Sequence, residues 1–168
     1  DMSVAFGDPV DAQDLKLRRA NGYISTYYLS CAHGFPNTFT FSPPAEGVFI
    51  GWYAMAADFD GFLRWSYNSW VENPLQDSRF ITWPAGDTYI VYPDNRTSIR
   101  FETLREGIQD AEKIRMLRAE LTQKKMLDEL DHLNKVVAQF NLTSKPKNFE
   151  NMLNDAKNVL DILAEKLK

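Results

Sequence analysis

The stretch that decides the fold runs from residue 23 to residue 67. Tyr23-Ile-Ser-Thr-Tyr-Tyr-Leu-Ser-Cys31 is rich in β-branched and aromatic residues and follows an Asn-Gly pair, which marks a strand. Pro43-Pro44 opens a helical stretch to about Ala57, because proline is tolerated in a first turn. Asp60-Gly61 is a turn, and Phe62 to Tyr67 a second strand. Strand, helix, strand is a βαβ unit, and such units build parallel sheets. Thr88 to Tyr92, between Gly86-Asp87 and Pro93-Asp94, is expected to be a third strand. Asp11 to Ala20 reads as a short helix.

Beyond residue 100 the chain changes character. The first hundred residues hold all four Trp, all seven Tyr, seven of the eight Gly and seven of the eight Pro. We therefore divide it into residues 1–100, strands and loops of an α/β domain, and residues 101–168, helices packing on them. Phe101, Leu104, Ile108, Ala111, Ile114, Leu117 and Leu121 form one helical stripe, with Ser98 as N-cap. Met126, Leu130, Leu133, Val137 and Phe140 continue it, with a bend near Thr122 to Lys125. Asn141 to Pro146 breaks the pattern. Phe149, Met152, Leu153, Ala156, Leu160, Leu163 and Leu167 form a further stripe. The expectation is an α-helical hairpin, which either covers its own domain or binds a partner.

Composition excludes several classes. The chain has 168 residues, enough for one domain with a core. Hydrophobic residues are 44% and charged residues 25%, unlike a disordered chain. One cysteine, Cys31, permits no internal disulfide. No apolar run reaches the roughly 20 residues of a membrane span. A net charge of −4 argues against attraction to nucleic acid. There is no repeat and no low-complexity tract, and a signal peptide is not expected from Asp1 onward, where no basic stretch precedes an apolar one. A start at Asp1 is expected of a chain processed or cut from a longer one.

Most enzyme motifs are missing: no phosphate loop, no Gly-x-Ser-x-Gly elbow, no His-Glu-x-x-His. His33 and His132 are too far apart for a structural zinc site with one cysteine. His132 reads as solvated, and Cys31 with His33 lacks an orienting third group. Asp128-Glu129 reads as a solvated helical pair. Asp87 follows the Trp-rich strand end, where parallel barrels place their sites, and is either a ligand contact or a turn residue bonding its own backbone. Alternation puts Leu63, Trp65 and Tyr67 on one face and Phe62, Arg64 and Ser66 on the other. Aromatic rings interleaved with Asn68, Ser69, Arg79 and Asp87 either line a sugar site or close the core.

Four segments carry a family likeness. They are Asp60-Gly-Phe-Leu-Arg-Trp-Ser-Tyr-Asn-Ser-Trp70, Pro74-Leu-Gln-Asp-Ser-Arg-Phe80, Trp83-Pro-Ala-Gly-Asp-Thr-Tyr-Ile-Val-Tyr-Pro93 and Ser98-Ile-Arg-Phe-Glu-Thr-Leu-Arg-Glu-Gly-Ile-Gln-Asp110. With Tyr27-Tyr-Leu-Ser-Cys31, they resemble the C-terminal part of the catalytic domain of glycoside hydrolase family 123, over about Tyr23 to Leu117. The resemblance implies an α/β fold that is the C-terminal portion of an incomplete (β/α)₈ barrel; a whole barrel takes about 250 residues. It implies a retaining exo-β-N-acetylgalactosaminidase needing no metal or organic cofactor. The substrate's own 2-acetamido oxygen attacks the anomeric carbon, an Asp orients it, and the adjacent Glu is acid and then base, outside the two-carboxylate nucleophile scheme.

That Asp-Glu pair is expected upstream of this chain, so no catalytic residue is assigned here and the chain alone is expected to be inactive. By family position, Tyr28, Trp65, Tyr67, Asn68, Trp70, Asp87 and Tyr89 are candidates to contact an N-acetylhexosamine-containing glycan. Trp65 is alternatively a plug of the barrel core. Open strand edges are expected to make the isolated chain a homo-oligomer. A secreted or periplasmic location follows from the resemblance alone. The other reading is a non-catalytic carbohydrate-binding or helical interaction domain.

Overall fold

A computed structural model describes residues 1–80 and 82–168. Three strands, β1 (Met2–Ala5), β2 (Ser25–Tyr28) and β3 (Gly61–Leu63), pair in that order as a parallel sheet. Five helices are described: α1 (Ala12–Ala20), α2 (Ala45–Ala56), α3 (Ile99–Gln123), α4 (Leu127–Ala138) and α5 (Phe149–Lys166). The expected βαβ unit is β2, α2 and β3, with Tyr27 opposite Phe62.

The organising element is α2. Ten of its twelve residues, Glu46 to Met55, are buried. A helix apolar all round has no solvent face and must be enclosed. On one side it meets the sheet. Tyr27 lies 4.8 Å from Tyr53 and 5.3 Å from Phe62 between ring centroids. The Tyr27 hydroxyl donates to the Ile50 carbonyl at 2.7 Å, and burial pushes its pKa well above the ordinary phenol value. On the other side Trp52 packs on Phe140 at 4.5 Å and Phe49 on Phe149 at 5.5 Å. One core therefore runs from Phe6 through α2 to Leu163.

The approach of α2 to α3 is set by glycine. A Cβ on Gly51 would lie 2.0 Å from the Gly107 carbonyl oxygen, and one on Gly107 would lie 2.4 Å from that of Val48. Backbones this close leave no room for a methyl group. The Trp52 indole N–H, donating to Asp110 Oδ2 at 2.8 Å, fixes the register of the crossing.

Several expectations are corrected. Thr88 to Tyr92 is not a strand: it makes only the isolated antiparallel bridge Asn68–Tyr89 and the bridge Tyr92–Arg96. Its backbone is already engaged, since Ser69 N donates to Thr88 O at 3.0 Å and Ile90 N to Tyr67 O at 3.0 Å. The second strand stops at Leu63 rather than Tyr67, and the first spans Ser25 to Tyr28 within the expected 23–31. Ile108 is exposed: it lies about 100° round the helix from Gly107, where α3 meets α2.

The expected bend at Thr122 to Lys125 is a full break. Lys125 adopts φ +57°, with its N–H on Thr122 O at 3.1 Å and the Met126 N–H on Leu121 O at 2.9 Å. That is a Schellman termination with lysine where glycine is usual. The expected hairpin is thus three helices. Strand β1 carries no sequence signal, because Met-Ser-Val-Ala is too short to show a period. No helix among the described residues is long and apolar enough to cross a membrane.

Replacing Gly by Ala inside an exposed helix stabilises by about 0.5–1 kcal/mol. Here the sign reverses: Gly107→Ala is expected to destabilise by ~2 kcal/mol or more, as overpacking does. Denaturant unfolding of the variant checks it; unchanged or raised stability would contradict the close crossing.

Candidate functional site

The three parallel strands end on the same side of the sheet, and most of the candidate residues lie in the segments that follow the last of them, β3. After β3 the chain keeps the alternation of a strand without strand pairing. Leu63, Trp65 and Tyr67 are exposed, whereas Arg64 and Ser66 turn inward. The inward side chains anchor the segment. Ser66 Oγ donates to Thr88 O at 2.7 Å, and Thr88 Oγ1 donates to Ser69 O at 2.7 Å. Arg64 donates to Thr38 Oγ1 at 2.8 Å and to the Asp87 carbonyl at 2.6 Å. Burial lowers the Arg64 pKa to about 10, opposed by Asp87, so it stays charged at neutral pH.

The aromatic side chains form a rim in two parts. Trp65 (48% exposed) and Trp83 (37% exposed) stand 5.6 Å apart at 63°. Tyr67, Asn68 and Trp70 line a cleft of about 390 Å³ with Tyr92, Arg96 and Phe101. The Tyr67 ring meets Phe101 edge-on at 6.1 Å, and the Trp70 indole N–H donates to Val91 O at 2.8 Å. These rings are exposed yet held, as a ligand platform requires.

The remaining candidates sit differently. Asp87 is 4% exposed, and its Oδ2 has no hydrogen-bond partner. Burial raises its pKa, with the Trp65 side chain and Arg64 acting against that. Tyr89 is fully buried, with its ring 5.4 Å from the Arg100 guanidinium and 5.3 Å from Tyr92, so it backs the rim. Tyr28 stands apart, half-buried on the sheet face opposite Tyr27 and paired with Leu63. Sequence reasoning gave Arg64 no role; its inward place in the alternation was the available signal.

Other candidate chemistry disperses. His33 Nδ1 accepts from Ser30 N at 3.0 Å, and its ring meets Phe6 edge-on, so its partners are not Cys31. Glu129 lies in the first turn of α4 and pairs with Lys166 at 3.1 Å. His132 is exposed. Among the described residues no group of three His, Cys, Asp or Glu is placed to hold a metal ion.

The sequence profile described as "Glycoside hydrolase 123, catalytic domain" matches residues 1–117, well over half of the chain. The chain belongs to glycoside hydrolase family 123. Among solved structures, it is similar to a family 123 glycoside hydrolase from Clostridium perfringens studied for glycolipid glycan hydrolysis. The TM-score is 0.78 at 23% identity, over 99% of this chain and 32% of that one. Such identity bears on the fold alone, and this chain spans about a third of that relative's length. Among curated proteins nothing matches.

The raised pKa of Asp87 has a sign that can be checked. The folded state holds the proton more tightly than the unfolded chain, whose carboxyl titrates at about 4. Stability therefore falls as pH rises from that value through the folded one. Asp87→Asn should gain stability relative to the native chain across that window and keep a constant difference above it. Denaturation at a series of pH values measures this, and a difference that does not change with pH would contradict the buried carboxylate.

Proposed function

We propose that this chain supplies one wall of the sugar site of a retaining exo-β-N-acetylgalactosaminidase. The observation that carries the proposal is the exposed, anchored rim of Trp65, Tyr67, Trp70 and Trp83 beyond the C-terminal end of β3. The apolar C–H face of a pyranose stacks on such rings. The Asn68 amide both donates and accepts, which suits sugar hydroxyls. The sheet fits a sector of a (β/α)₈ barrel. Its helical layer covers the Tyr27 and Phe62 face, and the opposite face, with Tyr28 and Leu63, would turn to the barrel interior.

The chemistry would be substrate-assisted. The acetamido oxygen of a terminal N-acetylhexosamine attacks its own anomeric carbon, oriented by an Asp, while an adjacent Glu protonates the leaving oxygen and then activates water. The sole adjacent Asp-Glu in this sequence, Asp128-Glu129, lies on α4 with Glu129 engaged by Lys166. The catalytic pair would therefore come from residues outside these 168, and the chain alone would bind but not cleave.

Titration with N-acetylgalactosamine, followed by tryptophan fluorescence, tests the reading. Saturable binding is expected, weakened in Trp65→Ala by ~10-fold, about 1.4 kcal/mol. A chromogenic β-N-acetylgalactosaminide should remain uncleaved. Absence of binding, or binding indifferent to Trp65, would refute it.

In the isolated chain β1 and β3 are open sheet edges. A second copy would pair there, so a homodimer is expected in sedimentation at rising concentration. A monomer throughout would refute that pairing.

A further inference from the structure

Arg100 occupies the second position of α3 and is 6% exposed. Both facts need explaining. A cation in the first turn opposes the helix dipole, and a buried guanidinium must have its protons taken up. Backbone carbonyls take up the Nη1 protons, whereas Nη2, also buried, has no hydrogen-bond partner. Nη1 donates to Thr38 O at 3.0 Å, Gly86 O at 2.7 Å and Tyr89 O at 2.6 Å. Two protons serve three acceptors, so one is shared. Thr38 belongs to the loop after β2; Gly86 and Tyr89 flank Asp87, in the loop that begins with Trp83.

The loop can come this close only because residue 86 has no side chain. Gly86 has φ +83°, and a Cβ there would lie 2.6 Å from Arg100 Nη1 and 2.8 Å from Thr40 Cγ2. Arg64 ties the same two loops, and the Thr40 N–H donates to Ala85 O at 2.9 Å.

The geometry points to Arg100 as a positioning residue: its carbonyl clamp on Thr38, Gly86 and Tyr89 holds the Trp83–Asp87 loop against Trp65 and sets the shape of the aromatic rim. It stands behind the rim and touches no ligand. Its relevance to sugar rests on the proposed function above, but the clamp itself has an independent readout. Trp65 and Trp83 are close and tilted enough for their indoles to couple, giving an exciton couplet in far-ultraviolet circular dichroism.

The experiment compares the native chain with Arg100→Met, Arg100→Lys, Gly86→Ala and Trp83→Phe, the last identifying the couplet. Arg100→Met should keep the helical signal, lose the couplet and bind N-acetylgalactosamine ~10-fold more weakly. Arg100→Lys should regain part of both, because an ammonium donates to the same carbonyls. Gly86→Ala should match Arg100→Met, and the double variant should be no worse than either. An intact couplet in Arg100→Met overturns the clamp. So does loss of helix and couplet together in both Arg100 variants, or a native chain with no Trp65–Trp83 couplet. A native chain with the couplet but no sugar binding refutes the proposed function and leaves the couplet to decide the clamp.

Discussion

The structure depends on the crossing of α2 and α3 at Gly51 and Gly107. Because neither glycine carries a methyl group, the two backbones meet directly. That contact places the Trp52 indole on Asp110 and the whole of α2 between sheet and helices. It also delivers the start of α3, with Ser98 capping at 3.2 Å and donating to Ile90 O, to the loop that carries Asp87. A fault at the crossing would move the rim as surely as a fault within it.

Buried charge ties the last helices to the rest. Glu46, 4% exposed, accepts from Asn37 N at 2.9 Å and pairs with Lys145 at 3.2 Å. A buried carboxylate is tolerable only with such partners. Asp110 likewise meets both Trp52 and Lys157, the latter at 2.9 Å from α5. The segment beyond residue 117, outside the family match, therefore holds the loop after β2 and the α2–α3 crossing from behind.

Much of this was legible in the residues. The βαβ unit and the alternation from Leu63 to Tyr67 follow from period and turn chemistry, although Gly61, expected in a turn, is the first residue of β3. What escaped depended on distant partners. Thr88 to Tyr92 has strand composition, but its carbonyls go to Ser66, Ser69 and Arg100, which no local window reveals. Ile108 fits a helical stripe, yet the contact face is chosen by Gly107, a residue that hydrophobic counting ignores. Lys125 ends α3 in a glycine-like conformation and so hides the break. In the site, the aromatic residues were visible as composition; the arginines that hold them were not, because their partners are mostly backbone oxygens of distant loops.

The central claim is that a rim held from behind by Arg64 and Arg100 forms a sugar-binding wall in a family 123 chain. A crystal structure of this chain grown with N-acetylgalactosamine tests it most directly. The account predicts a pyranose stacked on Trp65, Tyr67 or Trp70, with hydroxyls on Asn68 and Arg64 and Arg100 still on their carbonyls. A sugar seated elsewhere, or an empty rim at saturating sugar, would contradict it.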